Sequence, residues 1–251
     1  MVVGICQLCG QTDEIINSHI WPRFAYKRYV SDLRKGGQFL DLQTGNPNAQ
    51  KQYTRPWFCE HCDRDVLGKD EKYAAEFCNK LEKNPTDAHA YDGCLSSFAV
   101  SISWRTVKSW REGRRRSGDG LTDKASRRWK DYLRGKERNL GPYTQHLFIV
   151  FDRDASMHKG LGGGVFTDEN LVLSQIGPLF IIGLLDRKHL SVTDLDVWSH
   201  SKLLEEGGTI KPISEWRVGT ELTLDCARFL ARHDNAVKRR LLEMANTRSK
   251  K

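Results

Sequence analysis

Apolar residues recur every three or four positions in three long stretches of the chain. From Asp63 onward, Leu67, Tyr73, Ala74, Phe77, Cys78 and Leu81 share one face of a predicted helix that Asn84-Pro85 ends. A second stripe, Leu95, Phe98, Ala99, Ile102 and Thr106, predicts a helix over Asp92 to Trp110. Thr122 can N-cap a third that runs to Leu133, with Ala125, Trp129 and Leu133 facing inward. Shorter apolar runs predict strands at Thr12 to Ile20, Gln38 to Leu42 and Tyr53 to Phe58. Others follow at His146 to Phe151, Leu171 to Gln175, Leu179 to Leu185 and Asp196 to His200. Pro22 suits the first turn of a helix through Phe24, Lys27 and Arg28. Gly113 to Gly120 reads as a mobile polar break. Gly160 to Gly164 reads as a flexible hairpin loop, because it lacks the lysine and the strand-loop-helix setting of a phosphate cradle. An amphipathic helix from Glu221 to Ala245, carrying Cys226, Phe229, Leu230, His233, Val237 and Leu241 on one face, closes the chain.

This order predicts an α+β protein in three regions. Residues 1–84 form a compact N-terminal unit, residues 85–140 a basic helical segment, and residues 141–251 a mixed, strand-rich part closed by the amphipathic helix. With 251 residues, 39% hydrophobic and 29% charged, the chain is long enough to bury a proper core. No apolar run reaches the roughly 18–20 residues of a membrane helix. The first residues have no basic region of the kind that opens a signal peptide. The expectation is therefore a cytoplasmic protein with reduced thiols, in which isolated Cys78, Cys94 and Cys226 serve as small buried hydrophobes.

Charge changes the picture in one place. The formal balance is +8, and the stretch from Arg105 to Arg138, with thirteen basic and five acidic residues, carries all of that excess. Interleaved with Trp104, Trp110, Trp129 and Tyr132, these cations suit a surface that tracks phosphates, with Arg105, Lys108, Arg111, Arg114, Arg115, Arg116, Arg127 and Arg128 as candidate nucleic-acid contacts. A solvated basic face is the plainer alternative.

Candidate chemistry gathers in the first third. Cys6-Gln-Leu-Cys9 and Cys59-Glu-His-Cys62 are two matched Cys-x2-Cys pairs. Each offers two thiolates to one side, and together they make the tetrahedral sulfur set that Zn²⁺ prefers. Four thiolates leave the metal no open position, so this zinc would be structural. Between the pairs lies Asn17-Ser18-His19-Ile20-Trp21-Pro22. His61 falls inside the second pair and is expected to shield the sulfurs or face solvent.

Knuckle, hairpin, then a helix whose first turn carries the second pair is the layout of a treble-clef zinc finger. Ser18-His19-Ile20-Trp21-Pro22 resembles the Asp-His-Ile/Val-x-Pro phrase of HNH (His-Me finger) nucleases, many of which carry two Cys-x2-Cys pairs in this order. The chain is also similar to bacterial and phage HNH-like proteins, whose later Trp-Arg helix is matched by Ser103-Trp104-Arg105. The resemblance implies a ββα-metal-like endonuclease, associated with phage defence or mobile elements. His19 would be the general base, and a single Mg²⁺ or Mn²⁺ would stabilise the leaving oxygen. The acidic residue before the histidine is Ser18 here, and the mid-motif Asn falls on Thr54. The last motif position is Asp63, which becomes the candidate catalytic and Mg²⁺ residue, with Glu71 or Asp65 assisting from the same helix.

Besides a partner-binding platform in the strand-rich part from about 140 to 220, where the residues form no constellation, two readings stay open on the residues alone. One is a metal-dependent endonuclease acting on nucleic acid, more readily DNA. The other is a non-catalytic, zinc-stapled module that binds nucleic acid, another protein or a second copy of itself. In the second, His19 packs against the hairpin, and Asp63 and Glu71 are solvated helix positions.

Overall fold

The computed structural model describes residues 2–30, 54–113, 120–149, 161–167, 170–186 and 202–210. Among them are four helices and three antiparallel sheets, a mixed α+β architecture. None of these helices is long and apolar enough to cross a membrane.

The N-terminal sheet has the order β1 (Val2–Ile5), β2 (Thr12–His19), β3 (Thr54–Cys59). Strand β2 places Ile15 opposite Cys59 and His19 opposite Thr54, with a register shift between Ile16 and Asn17. That shift re-aims the end of the strand, as a bulge does. Pro22, with φ −55°, precedes α1 (Arg23–Ala25), which widens into a π-helical turn at Tyr26–Val30. A second wide turn, Cys62–Leu67, leads into α2 (Gly68–Lys83), which buries Ala74, Phe77, Cys78 and Leu81. Their three- and four-residue spacing is the one read from sequence, and Asn84 ends the helix as expected.

Helix α3 (Gly93–Gly113) is the centre of the molecule. Leu95, Phe98, Ala99, Val100, Ile102, Trp104 and Val107 are all buried, as are Ser96, Ser101, Ser103, Thr106 and Ser109. A helix buried on nearly every side must be contacted on nearly every side. Helix α2 and α4 (Gly120–Leu133) pack along it, the N-terminal sheet meets it where Phe58 stacks on Trp104 at 5.7 Å, and a five-stranded sheet covers another face. Thr122, expected to cap α4, lies inside it and is buried. Strand β4 (His89–Asp92) pairs with β10 (Gly207–Ile210) beside the start of α3.

The large sheet has the order β6 (Leu161–Phe166), β7 (Leu171–Ile176), β8 (Leu179–Leu184), β5 (Gln145–Ile149), β9 (Lys202–Leu203). Its helix-facing side is mostly apolar, and the two polar residues on it, Gln145 and Ser174, find partners on the helix. Ser103 Oγ donates to Gln145 Oε1 at 2.7 Å, and the Thr106 and Ser174 hydroxyls lie 3.1 Å apart. The other side, including Phe148 stacked on Phe180 at 4.7 Å, is buried as well.

One expectation changes here. The glycine run is no flexible loop, because Leu161–Phe166 is strand β6. A Cβ on Gly163 would come 2.8 Å from Trp21 Cη2 and 2.9 Å from the Leu173 carbonyl oxygen. The absent side chain is what lets the indole and the neighbouring strand approach. The three regions also share one continuous core, from Cys6 through Trp129 to Ile210. Cys78 is buried as expected and Cys94 is half-exposed. The strands at Gln38 to Leu42 and Asp196 to His200, the mobile break within 113–120 and the closing helix, with Cys226, fall wholly or mostly outside the described residues.

Candidate functional site

The turn between β1 and β2 makes the first clasp. Cys6 N–H donates to the Gln11 carbonyl at 2.8 Å, and Gly10 N–H to the Cys6 carbonyl at 2.9 Å. Gly10 sits at φ 81°, the left-handed geometry that turns the chain back after Cys9 and that glycine adopts without strain. Gln7 N–H donates to the Trp57 carbonyl at 2.7 Å, which holds this turn beside the end of β3. The second clasp is formed where β3 ends at Cys59 and the wide turn begins at Cys62.

The four sulfurs lie within 4.8 Å of one another, and Cys9 Sγ is 4.0 Å from Cys59 Sγ. Zn–S bonds of about 2.3 Å in a tetrahedron place sulfurs roughly 3.8 Å apart, so the set is close to metal-binding size as it stands. Backbone N–H groups already point at the sulfurs, Cys59 N–H at Cys6 Sγ (3.4 Å) and Gln11 N–H at Cys9 Sγ (3.5 Å).

The electrostatics lead to the same conclusion. Burial pushes the Cys6 thiol up, but backbone N–H groups of Cys59, Cys9 and Leu8 outweigh it and bring the pKa down to about 7. Burial, and then the neighbouring thiols, push Cys62 well above the ordinary thiol range; burial raises Cys59 too. Four sulfurs this close cannot all ionise unless a cation compensates them. The four cysteines therefore form a set that can hold a metal ion such as zinc. Among the described residues it is the one group of three or more potential ligands that converges.

His19 ends β2, half-buried, its ring centroid 6.4 Å from that of Tyr26. Ser18 beside it is fully buried and donates weakly to the Ile16 carbonyl. His61 is exposed, with Nδ1 2.9 Å from Asp65 Oδ2, so it faces solvent and Asp65 is engaged there. Asp63 is half-buried in the wide turn.

The hard-cation site expected from Asp63 and Glu71 has Glu71 engaged elsewhere. His19, Asp63 and Glu71 do not converge as a ligand set. Glu71 Oε1 instead accepts from Arg105 Nη1 at 2.8 Å, and that guanidinium neutralises the charge a cation would use.

Arg105 itself is buried and not part of an exposed phosphate-tracking surface. Its side chain is 1% exposed, and Nη1 also donates to the His19 carbonyl at 3.0 Å. Of the other expected nucleic-acid contacts, Lys108, Arg111 and Arg128 have partners within the fold. Lys108 Nζ donates to Gln7 Oε1 at 3.0 Å, lies 3.4 Å from Glu112 and sits 5.2 Å over the Trp57 ring; its burial lowers its pKa. Arg111 pairs with Asp123 at 2.5 Å. Arg128 pairs with Glu137 and donates to Asn139. Arg127 is exposed, and Arg114, Arg115 and Arg116 lie outside the described residues.

Two groupings escaped the sequence reading. The link from Gln7 through Lys108 and Glu112 to Trp57, whose Nε1 donates to Glu112 at 2.8 Å, ties the last turns of α3 to the first clasp. It joins residues about fifty and a hundred positions apart, which no local pattern reveals. Arg105 did carry a signal. It falls three residues after Ile102 and seven after Phe98, on the buried stripe of α3.

No protein-family model, curated protein or solved structure matches the chain.

Proposed function

We propose that the chain is an HNH-like hydrolase of nucleic-acid phosphodiesters, built on a treble-clef finger with a structural zinc in the four-cysteine cage. The observation that carries this reading is the place of His19. It ends the strand that leaves the first clasp, it is half-exposed, and it stands opposite Thr54 on the strand that enters the second. An imidazole titrates near neutral pH and can take the proton of a water attacking phosphorus. The closed sulfur cage takes no part in that step; it holds the hairpin and the helix in place. No step is routed through a hard cation.

The test is nicking of supercoiled plasmid with Mg²⁺ or Mn²⁺ supplied. The wild-type protein is expected to nick, and His19→Ala is expected to lose nicking with its zinc content unchanged. Nicking that survives His19→Ala overturns the reading.

The second reading, a non-catalytic zinc-stapled binding module, is favoured by one observation. Glu71 is held by Arg105 rather than converging with His19 and Asp63. It predicts nucleic-acid binding that weakens with salt and no cleavage under any metal.

A further inference from the structure

We propose that Arg105 is the positioning residue of the His19 site, an inference that rests on the catalytic reading above. The guanidinium comes from the middle of α3 and reaches two other elements. Nη1 donates to the carbonyl of His19 at the end of β2 (3.0 Å) and to the carboxylate of Glu71 on α2 (2.8 Å). Nε points back to the Ser101 carbonyl of its own helix, at a long 3.4 Å. One side chain thus fixes the backbone from which the imidazole projects, relative to two helices.

Stability alone accounts poorly for this arrangement. Arg105 is 1% exposed, so its charge has lost its hydration, and Nη2 is buried with no hydrogen-bond partner. Well-packed apolar side chains usually stabilise a core as well as or better than a buried ion pair does. An unmatched donor in such a pair adds a desolvation cost that nothing offsets. What the guanidinium supplies, and an apolar side chain cannot, is a rigid planar fork that sets direction.

Clamping that carbonyl matters because His19 is the last paired residue of β2, directly before the chain turns at Ile20-Trp21-Pro22. The ring would otherwise follow any swing of that turn. A general base acts only within a narrow range of distance and angle to its water. Arg105 touches neither water nor phosphate in this scheme; it acts through His19.

The experiment compares Arg105→Lys, which keeps charge and most of the volume, with Glu71→Gln, which keeps shape and removes the ion pair. With the wild-type enzyme cleaving, Arg105→Lys is expected to lower kcat about tenfold to a hundredfold while KM moves less than about twofold. Glu71→Gln is expected to lower kcat less, because the bond to the His19 carbonyl survives. Wild-type kcat in Arg105→Lys, or a loss of activity that only follows the loss of folded protein, overturns the proposal.

A second readout needs no cleavage. The imidazole NMR signals of His19 are expected to shift or broaden in Arg105→Lys, while those of His89 and His146, elsewhere in the fold, stay in place. An unchanged His19 signal overturns the positioning role. A wild-type protein that never cleaves, with His19 still responding to Arg105→Lys, sinks the catalytic reading and leaves the clamp standing.

Discussion

Trp21 lies directly over Gly163, so that a Cβ there would fall 2.8 Å from the indole. This contact docks the histidine-bearing segment on the five-stranded sheet. Ser174 Oγ, at 2.7 Å from the same point, closes the site from the facing strand. Gly163→Ala is therefore expected to destabilise the protein by about 1–3 kcal/mol, the usual cost of overpacking. Urea unfolding measures it. Gly120→Ala, where nothing lies within 4 Å, is the control and should change little.

Purified protein is expected to contain one zinc per chain by elemental analysis, and Cys59→Ser to lose it together with cooperative unfolding. Structural zinc contributes on the order of 10 kcal/mol to the fold of small metal domains, so this loss should exceed that of any surface change. Cys94→Ser, outside the cage, should keep the metal. Release should also begin as pH falls, since protons compete for the thiolates.

How much of this could be read along the chain depends on what fixes each element. Helices α2 and α4 were legible because their buried faces repeat at the helical period, and α3 because an apolar stripe of that period runs along it although it is buried on nearly every side. Both Cys-x2-Cys clasps were legible because local spacing alone decides them. Strand β6 was not. Its three consecutive glycines read locally as a loop, and the close approach at Gly163 comes from Trp21, some 140 residues earlier, and from Ser174 and Leu173 on the next strand. The basic stretch was only partly legible for a related reason. Counting charge gives the sum but not the direction of each side chain. Arg105 turns inward to Glu71, while Arg111 and Arg128 find acids on the same surface.

Lys108→Met is expected to act on stability and leave nucleic-acid affinity alone. The substitution removes the bond to Gln7 and the cation over Trp57, at a cost of about 1–2 kcal/mol. The salt dependence of any DNA binding should keep its slope, whereas replacing Arg114, Arg115 and Arg116 together should flatten it if those residues meet phosphate. Thermal unfolding and binding titrations at two salt concentrations separate the effects.

Asp70 sets a pH dependence. Burial raises its carboxyl from 3.8 to about 6, with Lys69 opposing the shift and Asp92 and Glu71 adding to it. For an acid whose pKa rises on folding, the favourable contribution is complete below the unfolded value and is lost as pH climbs through the folded one. Here that window runs from about 4 to about 6. Asp70→Asn should therefore melt a few degrees above wild type at neutral pH, and the gap should close at about pH 4. A gap that widens on acidification would contradict the assignment.

The stacking of Phe58, next to the second clasp, on Trp104 of the central helix has an evolutionary consequence. A metal-bound hairpin of this kind is often pictured as a cassette, free to be shuffled between hosts. Here, cutting the chain after residue 84 would strip one wall from the hairpin and expose an aromatic ring at the cage. Any transplant would have to take the helix along, so the heritable unit is larger than the one the cysteines outline.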